Sequence, residues 1–303
     1  MIIRSPSQTA LWARCPWKWY LSKRLGVRSR FVERKDVAAA VGSAVGGVLA
    51  VKYSPDSTHD HSLEDCVKLA DTMYEHNLSE YLAEGRELVD SVESMLYPQL
   101  MKPMLTQWFK NPFIVEGWTV RGTEYQCSDD NKSFIDVWGE NERGIWVVDW
   151  KSKMKGKAYE ITQELAKYQH SWQLGHYVWS LHRLLNEWPK TAGISLLVGD
   201  PIPQHKYMEY EVDLNFMEWW EKSAIKLWGQ IEDAEEWCEK HPHASIEQAR
   251  EHFGMAPDHM NGPWKCDMDA VCFLYDGDAS VSASHVMNPI TITGKAVSDG
   301  KVV

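Results

Sequence analysis

The 303-residue sequence predicts an α/β protein: a sheet flanked by helices, with helical additions at the N-terminal end and an irregular C-terminal segment. Three observations predict it. Residues 1–110 have helical texture. Residues 113–151 change to Val, Ile, Trp and Phe bounded by Gly, Asp and Asn. Helical spacing then returns over 160–188, ahead of two further short apolar runs. An apolar fraction of 44% and 16 tryptophans provide enough surface for a core, which excludes a wholly disordered chain.

Each element follows from its local pattern. Ser5-Pro6-Ser7 supplies an N-cap signal for a helix over 8–25, in which Pro16 starts a new turn or a kink. Residues 37–53 read as a small-residue helix, and 63–85 and 87–108 show amphipathic spacing. Strands are predicted over 113–127, 133–138 and 144–151, a helix over 160–188, strands over 194–198 and 207–212, and a long helix over 214–240. From residue 256 the chain is turn-rich, apart from a Trp/Cys/Phe island at 264–275. No repeat or low-complexity linker interrupts it. The expectation is a single domain over 1–276 (mainly helical to 110, sheet-bearing over 111–213, helical over 214–276) followed by a tail over 277–303.

The uncharged apolar stretch 37–51 has 15 residues, short of the roughly 20 that span a membrane, so no membrane partner is expected. The N-terminal MIIRSPSQ lacks an apolar signal region, which predicts a cytoplasmic address. Six scattered cysteines do not make a disulfide scaffold and are read as thiols or ligands. The net charge of −11 hides a segregation: residues 1–35 carry +8 and the remainder −19. That basic segment, with Arg14, Lys18, Lys23 and Arg24, is either a track for a polyanion or a solvated helix face.

Chemistry concentrates in residues 133–151. Asp136 lies in one predicted strand, and Asp149 and Lys151 share a face of the next by period-two geometry. If the hairpin sets Trp138 opposite Ile145, Asp136 is one diagonal step from Asp149, about 7–8 Å. Carboxylates and an ammonium on an apolar strand are costly unless paired. Two readings fit: a structural ion pair, or a divalent metal held by both aspartates and a backbone carbonyl such as that of Trp150. In the second, the ion would activate water and polarise a phosphoryl group, with Lys151 offsetting charge on phosphorus.

Asp136 followed by Asp149-Trp150-Lys151 resembles the PD-(D/E)XK nuclease superfamily. Gln173 and Tyr177, four apart in WQLGHYVW, resemble the Gln-x-x-x-Tyr motif of its RecB-like branch. Cys15-Pro16-Trp17-Lys18-Trp19-Tyr20-Leu21 is similar to the opening of its iron-sulfur members, including CRISPR-associated and AddB-type exonucleases and phage relatives. The resemblance implies a restriction-endonuclease-like core with a mixed sheet, and a DNA exonuclease dependent on Mg²⁺ or Mn²⁺. In it Asp136 and Asp149 bind metal, Lys151 acts at the scissile phosphate, and Gln173 with Tyr177 positions the lysine or the DNA backbone. Glu124 matches a frequent acidic position of the family. Single-stranded DNA ends are the expected substrate, and a helicase or recombinase the expected associate.

The sequence departs from the family at two places. Gly46 stands where many relatives carry a metal-binding histidine. Of the cysteine set implied for a [4Fe-4S] cluster, Cys15, Cys266 and Cys272 are present, but Asp276 stands where a fourth thiolate is expected; zinc or unligated thiols are the other readings. Lys153, Lys155 and Lys157 follow Lys151 at alternate positions and read as DNA contacts or a solvated loop, while Trp12, Trp17, Trp19 and Tyr20 offer either faces for bases or core packing. The competing functions are a non-catalytic DNA-binding module on the same fold and a structural metal protein.

Overall fold

A computed structural model describes residues 5–29, 31–32, 34–88, 92–128, 131–156, 158–254 and 285–287. In order these form α1 (Pro6–Arg14), α2 (Pro16–Trp19), a π-helical turn (Tyr20–Arg24), β1 (Val27–Ser29), β2 (Phe31–Val32), α3 (Arg34–Tyr53), α4 (Leu63–Ala83), β3 (Glu87–Leu88), α5 (Val92–Gln99) and α6 (Met101–Lys110). There follow β4 (Thr119–Ser128), β5 (Asn131–Asn141), β6 (Gly144–Lys155), α7 (Ala158–Tyr168), α8 (Trp172–Leu185), β7 (Thr191–Asp200), β8 (Gln204–Glu211), α9 (Leu214–Lys240), α10 (Ile246–Phe253) and β9 (His285–Met287). The chain divides into two compact units, one built from Met1–Pro6, Arg34–Glu80 and Val89–Ala224, the other from Ser7–Glu33, Tyr81–Leu88 and Ile225–Val303.

The first unit holds a mixed five-stranded sheet in the order β4-β5-β6-β7-β8, antiparallel throughout except for the parallel pair β6–β7. A parallel pair needs a long crossover, and α7 and α8 supply it. Ile145 to Trp150 of β6 are all buried, as are nine successive residues of β7, because helices cover both faces. On one face lie α3 and α6. The latter buries Met101, Met104, Leu105 and Trp108, an i, i+3, i+4, i+7 stripe. The former packs closely enough on β6 that a Cβ at Gly42 would sit 2.5 Å from Ser152 Oγ. Alternation along β6 sends Ser152 to that face and Asp149 and Lys151 to the other, where α8 lies.

Several sequence expectations are corrected. The β5–β6 hairpin closes at Asn141 and Gly144, with Trp138 opposite Val147 rather than Ile145. The segment read as one helix over 87–108 breaks at Leu100, and that over 160–188 divides at 169–171. Strand β4 begins at Thr119, and residues 285–287 of the tail pair with β1. Helix α3 has 20 residues and is long and apolar enough to cross a membrane by length and composition, so the length argument fails. Within the first unit Val37, Val41, Ala44, Val45, Val48 and Leu49 of this helix are buried.

The second unit has its own core of Trp12, Cys15, Trp17, Trp19, Tyr20, Leu21, Ile231, Ala234, Cys238 and Phe253. The Trp12 indole donates to Gln230, and the Trp228 indole to Thr9. All four aromatics of 12–20 are therefore packing residues, and a base-stacking role for them is excluded by burial.

Candidate active site

The site forms where β5 and β6 part. The regular pairing ends at Val137 with Val148. One step further, in the same register, Asp136 stands across from Asp149. There Asp136 Oδ2 accepts a hydrogen bond from the Trp150 backbone N–H at 2.7 Å, so the side chain replaces the missing ladder bond. Its Oδ1 accepts from the Tyr177 hydroxyl at 2.8 Å. Lys151 Nζ donates to Asp149 Oδ1 at 2.7 Å and to Gln173 Oε1 at 2.8 Å, and Gln173 Nε2 donates to Tyr177 Oη at 2.9 Å. Five side chains from two strands and one helix thus form a continuous hydrogen-bonded path.

Helix α8 delivers its two members by spacing. Ser171 caps its N-terminus by accepting from the Leu174 N–H, and residues 173 and 177 follow on one face. Gly175, between them, is set against α9: a Cβ there would lie 2.5 Å from the Trp220 indole nitrogen. The close approach of Trp220 behind the helix face that carries Gln173 and Tyr177 is not read from the sequence, where a glycine inside an otherwise helical pattern is the available signal.

Asp149 is fully buried, and its Oδ2 has no hydrogen-bond partner. Burial pushes its carboxyl well above the usual carboxylate range, opposed by the Lys151 ammonium. Burial also works against the charge on Lys151, but Asp149 and Asp136 outweigh it and hold the ammonium's pKa above the usual lysine value. Tyr177 is raised well above a normal phenol, by burial and then by Asp136, so it acts as a neutral donor. Two carboxyl groups share one ammonium in this desolvated setting.

The remaining predicted residues are placed as follows. Glu124 falls between the β4–β5 pairs Thr123–Val137 and Tyr125–Ile135, hence opposite Asp136, in a left-handed backbone conformation with φ 44°. The residue is exposed overall, yet desolvation of its carboxyl and, second, the Asp136 charge push its pKa up to about 7. Lys153 and Lys155 are not in a loop: β6 continues through both, paired with Val198 and Asp200. Lys153 is half-buried and Lys155 exposed. Lys157 lies outside the described residues, as do Cys266, Cys272 and Asp276. Arg14 is exposed and Lys18, Lys23 and Arg24 half-buried, all in the second unit. Cys15 is buried there, its Sγ accepting from the Lys18 N–H at 3.4 Å. Burial pushes the thiols of Cys127 and Cys238 up to about 12 and about 11, and Cys66 upward, which suits packing.

The donor set fits a hard divalent cation. Both carboxylates supply oxygen, and Asp149 Oδ2 is buried without a partner. An extended residue turns its N–H and C=O to the same edge of the strand, so the Trp150 carbonyl faces β5 as its N–H does. Among the described residues no group of three or more His, Cys, Asp or Glu is arranged to hold a metal.

A mixed sheet with two carboxylates and a lysine converging where its strands part defines a nuclease-like centre. The family model of the PD-(D/E)XK nuclease superfamily matches residues 4–273, and the chain belongs to that superfamily. Membership implies a metal-dependent nuclease. No curated protein matches the chain. Among solved structures the chain is similar to the crystal structure of SSO0001, at 15% identity over 70% of this chain and 82% of that one, with a TM-score of 0.23.

Proposed function

We propose that this protein is a metal-dependent DNA exonuclease that hydrolyses phosphodiester bonds at single-stranded ends, in recombination, repair or phage replication. The observation that carries the reading is the path Asp149–Lys151–Gln173–Tyr177–Asp136 with the unpartnered oxygen of Asp149. Asp136, Asp149 and the Trp150 carbonyl would hold Mg²⁺ or Mn²⁺. Bound there, such an ion would lower the pKa of a water and polarise the phosphoryl group. Gln173 fixes Lys151 through its amide oxygen, leaving the ammonium protonated to offset charge on phosphorus. Tyr177 fixes the rotamer of Asp136. Lys153 and Lys155 continue the cationic line along β6 for the DNA backbone.

We also propose a cytoplasmic location, a single nuclease domain over 1–276, and association with a helicase or recombinase. A four-iron cluster on Cys15, Cys266, Cys272 and Asp276 is the second cofactor proposed; metal analysis finding neither iron nor zinc rejects it. The rival reading, a DNA-binding module without catalysis, is suggested by Gly46, which stands where many relatives carry a metal-binding histidine. Incubating end-labelled single strands, duplexes and closed circles with Mg²⁺ or Mn²⁺ decides between them. Stepwise loss of linear single strands with circles intact supports the exonuclease; tight binding with no cleavage by either ion supports the module.

A further inference from the structure

Both strands of the site open in the same direction. Along β5 the residues on the Asp136 face go from Trp138, 7% exposed, through half-buried Asp136 to Phe134, 47% exposed. Along β6, which runs antiparallel, Val147 and Asp149 are fully buried, Lys151 and Lys153 half-buried and Lys155 exposed. Phe134 is two residues before Asp136, so by alternation it stands on the same face, one pleat nearer solvent. Phe134 and Lys151 both lie beyond the last β5–β6 pair, Val137–Val148, where the two strands part. The β4 neighbour of Phe134 is exposed Gln126.

A large aromatic ring half in water, on the face of the sheet that carries Asp136, is an arrangement that core packing does not explain. It offers a π-face on a sheet face that also carries Lys151 and Lys153, the combination by which proteins hold unpaired nucleotides: lysines take the phosphates and the ring takes a base. A base inside a duplex has both faces occupied by its neighbours, whereas an unpaired one does not. We infer that Phe134 is a substrate-contacting residue that stacks on an unpaired nucleobase at the mouth of the Asp136–Asp149–Lys151 site and so selects single-stranded ends. This rests on the nuclease reading of that site and goes beyond it in naming the contact.

The test uses the full chain and fluorescein-labelled single-stranded oligonucleotides with EDTA present, so that binding is read by anisotropy without cleavage. Phe134→Ala weakens binding about 5- to 150-fold, the value of one base stacked on an aromatic ring, while Phe134→Tyr retains it. An abasic site walked through the terminal nucleotides costs the wild type affinity at one position and costs Phe134→Ala nothing there. That coupling needs no assumption about folding, since the abasic strand perturbs the wild-type protein. Wild-type affinity in Phe134→Ala, or the same abasic penalty in both proteins, overturns the inference. Failure of the nuclease reading looks different: Phe134-dependent binding persists but neither ion supports cleavage.

Discussion

Replacing Tyr177 with Phe removes one oxygen from the middle of the site and leaves its packing intact. The ring is 2% exposed and keeps its volume. The change removes the 2.8 Å bond donated to Asp136 Oδ1 and the acceptor for Gln173 Nε2 at 2.9 Å. A hydrogen bond to a charged group is worth about 1.5–3 kcal/mol, and an unsatisfied buried amide costs about 1–3 kcal/mol. Asp136 is half-buried and gains some water in exchange, so a total destabilisation of about 2–4 kcal/mol is expected. Thermal unfolding reads this as a lower Tm. Asp136 keeps only its Trp150 N–H anchor and can rotate, which weakens metal binding and the lysine's support together. If about 1–2 kcal/mol of the loss is expressed in the transition state, kcat falls about 5- to 30-fold. Mg²⁺ titration of Tyr177→Phe should show a raised half-saturation point. A variant with wild-type Tm, kcat and Mg²⁺ dependence would refute the claim that this hydroxyl organises the site.

Three further outcomes follow from the geometry. Gly175→Ala drives a methyl into Trp220 and pushes α8 outward; overpacking of about 1–3 kcal/mol exceeds the roughly 1 kcal/mol gained in helix propensity, so both Tm and kcat should fall. Glu124, with its folded pKa at about 7 against 4.5 unfolded, binds its proton more tightly when folded. Its stabilising contribution is full below pH 4.5 and is lost as pH rises through 7, so Glu124→Gln should raise Tm relative to wild type more at pH 8 than at pH 5; an equal difference at both speaks against the shift. Changing Lys153 and Lys155 to Ala should reduce the slope of log affinity against log salt for single-stranded DNA by about 0.7 for each phosphate that is no longer neutralised. An unchanged slope removes both from the interface.

The chemistry of the site is legible in the sequence because it depends on short-range periodicity. Asp149 and Lys151 share a face at spacing two and Gln173 and Tyr177 at spacing four, whatever surrounds them. The observed hairpin register differs from the expected one by two residues, yet Asp136 stays on the correct face because a slip of two preserves the pleat. What depends on distant partners is not legible. Whether Lys153 and Lys155 lie in a loop or a strand is decided by β7, some forty residues on in sequence, which extends β6 to Lys155. The basic aromatic start has the composition of a nucleic-acid surface, but residues from α9 and α10 enclose its rings. The two units interleave three segments each, so no linker marks their boundary. Exposure of Phe134 follows from where its neighbours stop covering it, which composition does not record.

The most direct test is isosteric removal of the buried charge: Asp149→Asn against wild type, with end-labelled single-stranded DNA and Mg²⁺ or Mn²⁺ supplied in turn. Loss of one of the two aspartates proposed to hold the ion should abolish nucleotide release, with a deficit of about a hundredfold or more, while DNA binding in EDTA persists. Digestion by Asp149→Asn at the wild-type rate would contradict the account.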